Sequence, residues 1–226
     1  VKLLALDTST EHLSVACWRD GVVTSRECHA GQKHSELTLP MVRAVLDESG
    51  LDLANLDGLA FCNGPGSFTG LRIGCGLIQG LAFAHHLPVV GINSLMALAQ
   101  DCGGEKVITC MDARMNQVYF AAYQRNHDGW QTVIAPGLYD PDTTPSLPGD
   151  SWYAVGNGFT AFADMLQTRY GTQLIGTDPS RYPLATAIAP LAARALAAGQ
   201  GQPAHEATLL YLRDKVALTV HEQPRK

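Results

Sequence analysis

Two stretches of this chain, 105 positions apart, carry the same pattern. "LLALDTSTEHLSVACWRDG", from Leu3, falls on "ITCMDARMNQVYFAAYQRN", from Ile108, and "HDG" follows close behind the second. Asp7 lands on Asp112, Ala16 on Ala121 and Trp18 on Tyr123. Each copy reads as an apolar strand, a turn opened by Asp, a second strand and a tight turn. "KLLALD" is apolar almost without interruption, as a strand buried on both faces should be. A duplicated unit of this kind restricts the chain to two similar α/β halves, each a mixed sheet flanked by helices.

The remaining elements fit that frame. "HSELTLPMVRAVLDES" has a helical pattern stopped by Gly50, "LDGLAFCN" is a short strand, and a helix is expected through His86. "LPVVGINS" then reads as a strand and "LMALAQDC" as a helix. Gly103-Gly104 marks the boundary, giving an N-terminal lobe over residues 1–104 and a C-terminal lobe with its tail over 105–226. In the second half, "APGLYDPDTTPSLPGD" (135–150) holds four prolines and is expected to be a surface loop. "SWYAV" reads as a strand, "GNG" as a turn, "FTAFADMLQTRYG" as a helix and "LATAIAPLAARALAAG" as a last, Ala-rich helix before an irregular tail.

With 46% apolar and 16% charged residues, such a chain can bury two cores. The net charge of −5 shows no basic stripe, so nucleic acid would have to be gripped mainly by a partner. No segment is long and apolar enough to span a membrane, and the N-terminal apolar run is cut too early by Asp7 for a signal peptide. The six cysteines (17, 28, 62, 75, 102 and 110) form no C-x-x-C pair and read as buried free thiols.

The second constraint is "GPGSFTGLRIGCGLIQG", six glycines between Gly64 and Gly80. A Walker loop fails because Leu71 follows Gly70 and no lysine lies between Lys33 and Lys106. A dinucleotide fingerprint fails because Thr69 stands where the third glycine belongs. Read as a helix, Gly66, Gly70 and Gly74 form one small-residue strip, and Gly76, Gly80 and Ala84 an adjoining one. Each interior glycine costs about 1 kcal/mol against alanine, so a close neighbour must recover it. That neighbour is either another part of this chain or a partner's helix.

Residues with chemical potential are few. Asp7, Thr8, Ser9 and Thr10 could hold a hydrated magnesium ion and nucleotide phosphates, or form an ordinary Asx turn. Ala113 follows Asp112, so the second copy lacks the hydroxyls. The eight histidines show no metal-binding spacing. His85 and His86 suit a helix C-terminus, and His34 sits at a helix start. Ser67 misses the nucleophile-elbow pattern because Thr69 replaces its second glycine.

Taken together, "LLALDTST…LSVACW", "HSELTLPMV", "GPGSFTGLRIG…GLA", "VGINSLMALA", "DARMNQVYFAAY" and "ATLLYLRDKVA" resemble the TsaB (YeaZ) family, from the start to about Leu218. The resemblance implies the duplicated actin-like fold and a part in making N6-threonylcarbamoyladenosine in tRNA. Its catalytic paralogue, TsaD, binds a metal through two histidines. Asn93 is kept here, but Ser94 and Leu98 occupy the histidine positions. A cytoplasmic, non-catalytic subunit without a metal follows, retaining at most weak binding of ATP with magnesium. The implied partners are TsaD and TsaE, with a homodimer forming when TsaD is absent and tRNA reached only through the complex.

In that family, helices near 35–49 and 67–85 dock on the same helices of TsaD. Here they offer Leu37, Met41, Val45, Gly66, Gly70, Leu71, Gly74, Cys75 and Ile78. A large residue at Gly70 or Gly74 would then block docking without unfolding the chain. The competing function is an ATP-dependent small-molecule phosphotransferase of the same superfold, for which "GNG" at 156–158 is the one adenosine-motif candidate. A metallopeptidase fails on the missing histidines.

Overall fold

The computed structural model of the protein describes residues 1–213, and Asp214 to Lys226, including the end of the family-like tail through Leu218, lie outside it. Strands β1 (Lys2–Asp7), β2 (His12–Arg19) and β3 (Val22–His29) form the first meander. Helix α1 (His34–Ser49) leads to β4 (Gly58–Gly64), α2 (Phe68–His85), β5 (Val89–Asn93) and α3 (Ser94–Cys102). The second half repeats the plan with β6 (Lys106–Asp112), β7 (Val118–Asn126), β8 (Gly129–Tyr139) and β9 (Trp152–Val155). Short α4 (Gly158–Ala161), α5 (Ala163–Tyr170), β10 (Leu174–Asp178) and α6 (Ala185–Ala197) complete it.

The two sheets have the same order, β3-β2-β1-β4-β5 and β8-β7-β6-β9-β10. In each, the first strand lies at the centre, antiparallel to one neighbour and parallel to the other. Central position explains the unbroken apolar run of β1, because both of its faces are covered. Leu4 and Leu6 meet α1 and α2 through Val45, Cys75 and Ile78. Leu3 and Ala5 meet Ala185, Ile188 and Ala192 of α6.

Helices α3 and α6 exchange sheets. Leu95, Leu98 and Ala99 of α3 pack on Val107, Met111 and Tyr123 of the second sheet, while α6 covers the first. The sheets therefore divide at Gly103-Gly104, but each half's last helix closes the other half. Alanines in α6 permit close approach to the first sheet, and Ala185 N–H donates to Ser14 Oγ at 2.7 Å.

The repeat holds with one adjustment. Val15 and Cys17 face the outer helices as Phe120 and Ala122 do, at the 105-residue spacing. Leu4 and Leu6, however, correspond by face to Ile108 and Cys110, one residue less (108 − 4 = 104). Asp112 thus stands one step beyond the position of Asp7 and points to the opposite face of its sheet.

Three other expectations change. The proline-rich segment 135–150 is a strand up to Tyr139. Pro136 is tolerated because β8 is an edge strand with irregular register opposite Phe120–Ala122. The helix expected over 159–171 breaks at Phe162 (φ −131°, ψ 40°), and the residues after it form a further strand, β10. The tail returns to the first half, where Gln202 pairs with Val89 and Leu210 N–H donates to the Asn63 carbonyl at 2.7 Å. No helix among the described residues is long and apolar enough to cross a membrane.

Candidate partner-docking face and inter-lobe cleft

Helix α2 starts at the Ser67 cap, whose Oγ accepts from Gly70 N–H at 3.3 Å. Its first glycine strip turns inward. A Cβ at Gly66 would fall on the Ser9 carbonyl, one at Gly70 on the Thr8 carbonyl and one at Gly74 on the Thr8 hydroxyl. Two hydrogen bonds seal this contact, Ser67 N–H to the Ser9 carbonyl and Thr8 Oγ1 to the Gly70 carbonyl, both at 2.7 Å. The close neighbour of Gly66, Gly70 and Gly74 is therefore the chain's own β1–β2 turn, which corrects their expected role as the notch for a partner.

Burial corrects four further positions. Val45, Leu71, Cys75 and Ile78 belong to the cores beneath the helices and do not reach the surface as a docking face would require. Leu37 and Met41 stay half-buried at the rim. The second strip is different. Nothing lies within 4 Å of a Cβ at Gly76 or Gly80, and Ala84 is exposed. Half-buried Ile73, Leu77 and Leu81 run beside it, and Phe83 is 76% exposed. Spacing alone could not tell which strip faced outward.

Between the lobes lies a cavity of about 580 Å³, lined by Ser9, Thr10 and Ser67 on one side and by Asp112, Arg114 and Asn157 on the other. Asp7 does not line it. Its fully buried carboxylate accepts Ser9 N–H at 2.9 Å and Ser9 Oγ–H at 3.0 Å. Burial raises its pKa from 3.8 to about 6, against the lowering effect of these hydrogen bonds. Thr8 is sealed under α2, and Thr10 Oγ1 accepts from His12 N–H at 3.1 Å. A hydrated magnesium ion with its nucleotide needs an open carboxylate and free hydroxyls, and the turn as folded does not fit one. In the "GNG" turn, Gly156 and Gly158 press on Cys110, while Asn157 Oδ1 accepts from Asp112 N–H at 2.9 Å. This motif is spent on packing.

The positions compared with histidine ligands are likewise internal. Ser94 is buried and donates to the Pro65 carbonyl at 2.5 Å, and Leu98 is wholly enclosed in the second core. Asn93 caps α3, accepting from Leu95 and Met96 N–H at 2.9 and 3.2 Å. Among the described residues, no three His, Cys, Asp or Glu side chains converge as metal ligands would. His34 is buried, with Nε2 3.3 Å from the His12 carbonyl.

TsaB of Escherichia coli K12, described as a tRNA threonylcarbamoyladenosine biosynthesis protein, is 37% identical over 96% of each chain. The chain belongs to the TsaB (YeaZ) family. The Haemophilus influenzae protein of the same description is 39% identical over 78% of each chain. The solved structure of YeaZ from Pseudomonas aeruginosa superposes with a TM-score of 0.86 at 38% identity, covering 93% of this chain and 99% of that one. A family model described as TsaD, tRNA N6-adenosine threonylcarbamoyltransferase, matches residues 21–200. The fold is the duplicated actin-like one, as the resemblance implied.

Two measurements follow. Gly70→Ala should lose about 1–3 kcal/mol or more in denaturant unfolding through forced overlap, whereas Gly76→Ala should be neutral or gain up to about 1 kcal/mol. Asp7 gives a pH signature. Because its folded pKa lies above the unfolded value, its neutral form stabilises below pH 3.8, and that contribution is lost as pH rises through about 6. The loss is of order 2–3 kcal/mol, so Asp7→Asn should flatten the stability curve between these limits and exceed the parent in stability near neutrality.

Proposed function

We propose that this chain is a non-catalytic subunit of tRNA threonylcarbamoyladenosine synthesis in the cytoplasm. It docks on a TsaD-type catalytic subunit through α1 and α2, with TsaE as a further member of the complex. The family descriptions supply the pathway. The chemistry of this chain supports a supporting role, since Ser94 and Leu98 are internal packing residues and Asp7 is sealed from the cleft.

The observation that carries the docking reading is the open strip of Gly76, Gly80 and Ala84. Two interior glycines that touch nothing weaken α2 by about 1 kcal/mol each relative to alanine. A second helix lying in that notch would recover the cost by dispersion at short interaxial distance. Leu37 and Met41 of α1 and Ile73 and Leu77 of α2 would flank it, with Leu39 and Phe83 as exposed apolar contacts. The same self-complementary surface would pair two copies when the catalytic subunit is absent.

Replacing both Gly76 and Gly80 by leucine should abolish co-purification with TsaD and lower threonylcarbamoyl-tRNA, read by mass spectrometry of nucleosides, at least tenfold. The circular dichroism and unfolding midpoint should be retained, because both side chains enter open space. Full co-purification of the double variant would place the interface elsewhere. Formation of threonylcarbamoyl-tRNA by the purified chain unaided would end the non-catalytic reading.

A further inference from the structure

The segment after α6 brings together residues 139 positions apart in the chain. Residues 207–213 turn back along α2, where the Ala207 carbonyl accepts from Gln79 Nε2 at 3.2 Å. Tyr211 settles beside Phe68, with ring centroids 5.6 Å apart. The Arg72 guanidinium carbon lies 3.7 Å from the centre of the Phe68 ring, and its Nε donates to the Tyr211 hydroxyl at 3.1 Å. Arg213 reaches the second lobe, donating from Nη2 to the carbonyls of Ala113 at 3.1 Å and Arg114 at 3.3 Å. A cavity of about 260 Å³ opens between this segment, the start of α2 and the Ala113–Met115 turn.

Among the described residues, neither Arg72 nor Arg213 has a carboxylate partner; their contacts are rings, a hydroxyl, carbonyls and a thioether. Arg114 pairs with Asp112 at 3.4 Å, but its side chain is 79% exposed. In a chain of net charge −5 this is a local concentration of positive charge. Phe68 and Tyr211 remain 38% and 45% exposed beside it. An acidic peptide would use the guanidinium groups and leave the rings idle. A single-stranded nucleotide segment uses both, phosphates on arginine and an unpaired base on an aromatic face.

We propose that Phe68, Arg72, Arg114, Tyr211 and Arg213 form an accessory contact for RNA, taking an unstacked base and its neighbouring phosphates. The site rests on the reading that this chain works in tRNA modification. Phe68 and Arg72 continue the line of Gly76 and Gly80 at four-residue steps, so a docked catalytic subunit ends beside it. Five residues in an acidic protein give weak binding by themselves, and the patch acts as an extension of the partner's RNA surface.

The test uses the full-length chain and a fluorescein-labelled single-stranded RNA oligonucleotide, with anisotropy read at low and at physiological salt. Binding is expected at low salt. Arg114→Glu with Arg213→Glu should weaken it at least tenfold and lower the slope of log K against log salt by about 1.4, roughly 0.7 for each lost phosphate contact. Tyr211→Ala should weaken it by about 5- to 150-fold, the range for loss of one stacked base. The exposed Arg114→Glu change alone, with an unchanged unfolding midpoint, guards against a folding defect. No binding by the parent chain at low salt, equal binding by the variants, or equal displacement by a polyglutamate peptide would each overturn the proposal. Co-purification with TsaD should survive Arg114→Glu and Arg213→Glu, whereas its absence in the parent chain would instead overturn the docking reading.

Discussion

The contact between the α2 backbone and the β1–β2 turn governs this structure. Glycine at 66, 70 and 74 removes every Cβ from the contact, so the helix lies directly on the carbonyls of Thr8 and Ser9. Two short hydrogen bonds join them, Thr8 Oγ1 to the Gly70 carbonyl in the buried part of the contact and Ser67 N–H to the Ser9 carbonyl at its edge. With one strip of α2 fixed inward, helical geometry turns Gly76, Gly80 and Ala84 toward solvent. The docking surface proposed above is a consequence of the internal contact.

The same contact bears on the cleft. In a turn free to face ligands, Asp7, Thr8 and Ser9 would present a carboxylate and two hydroxyls. Here Asp7 is spent on Ser9, Thr8 on Gly70, and the Ser9 carbonyl on Ser67. The inter-lobe opening is present, but the first turn serves as a support for α2. The exchange of α3 and α6 between sheets further ties the lobes together, because neither sheet has a complete core without a helix from the other half.

Much of this was legible in the residues. The duplication, the central strands and the helical nature of the glycine run follow from periodicity and turn chemistry. The end of β8 was hidden because Pro136 is acceptable only at an edge, and edge position is a property of the sheet. β10 is short, and its residues, LIGTD, do not alternate apolar with polar types although their burial does. The one-residue offset between Asp7 and Asp112 was invisible, since it depends on which face each strand presents. The cluster around Arg72 and Tyr211 carries no local signal, because its members meet only through the returning tail.

The sequence by itself determined the repeat, helices α1, α2, α3 and α6 and the absence of histidine at 94 and 98, because these depend on residues near one another in the chain and on side-chain identity. Only the tertiary structure decided which glycines face inward, that Asp7 is sealed, and that the tail reaches Phe68. Two small-residue strips on one helix are equivalent until something packs against one of them. The Thr8–Ser9 turn, some sixty residues away, makes that choice.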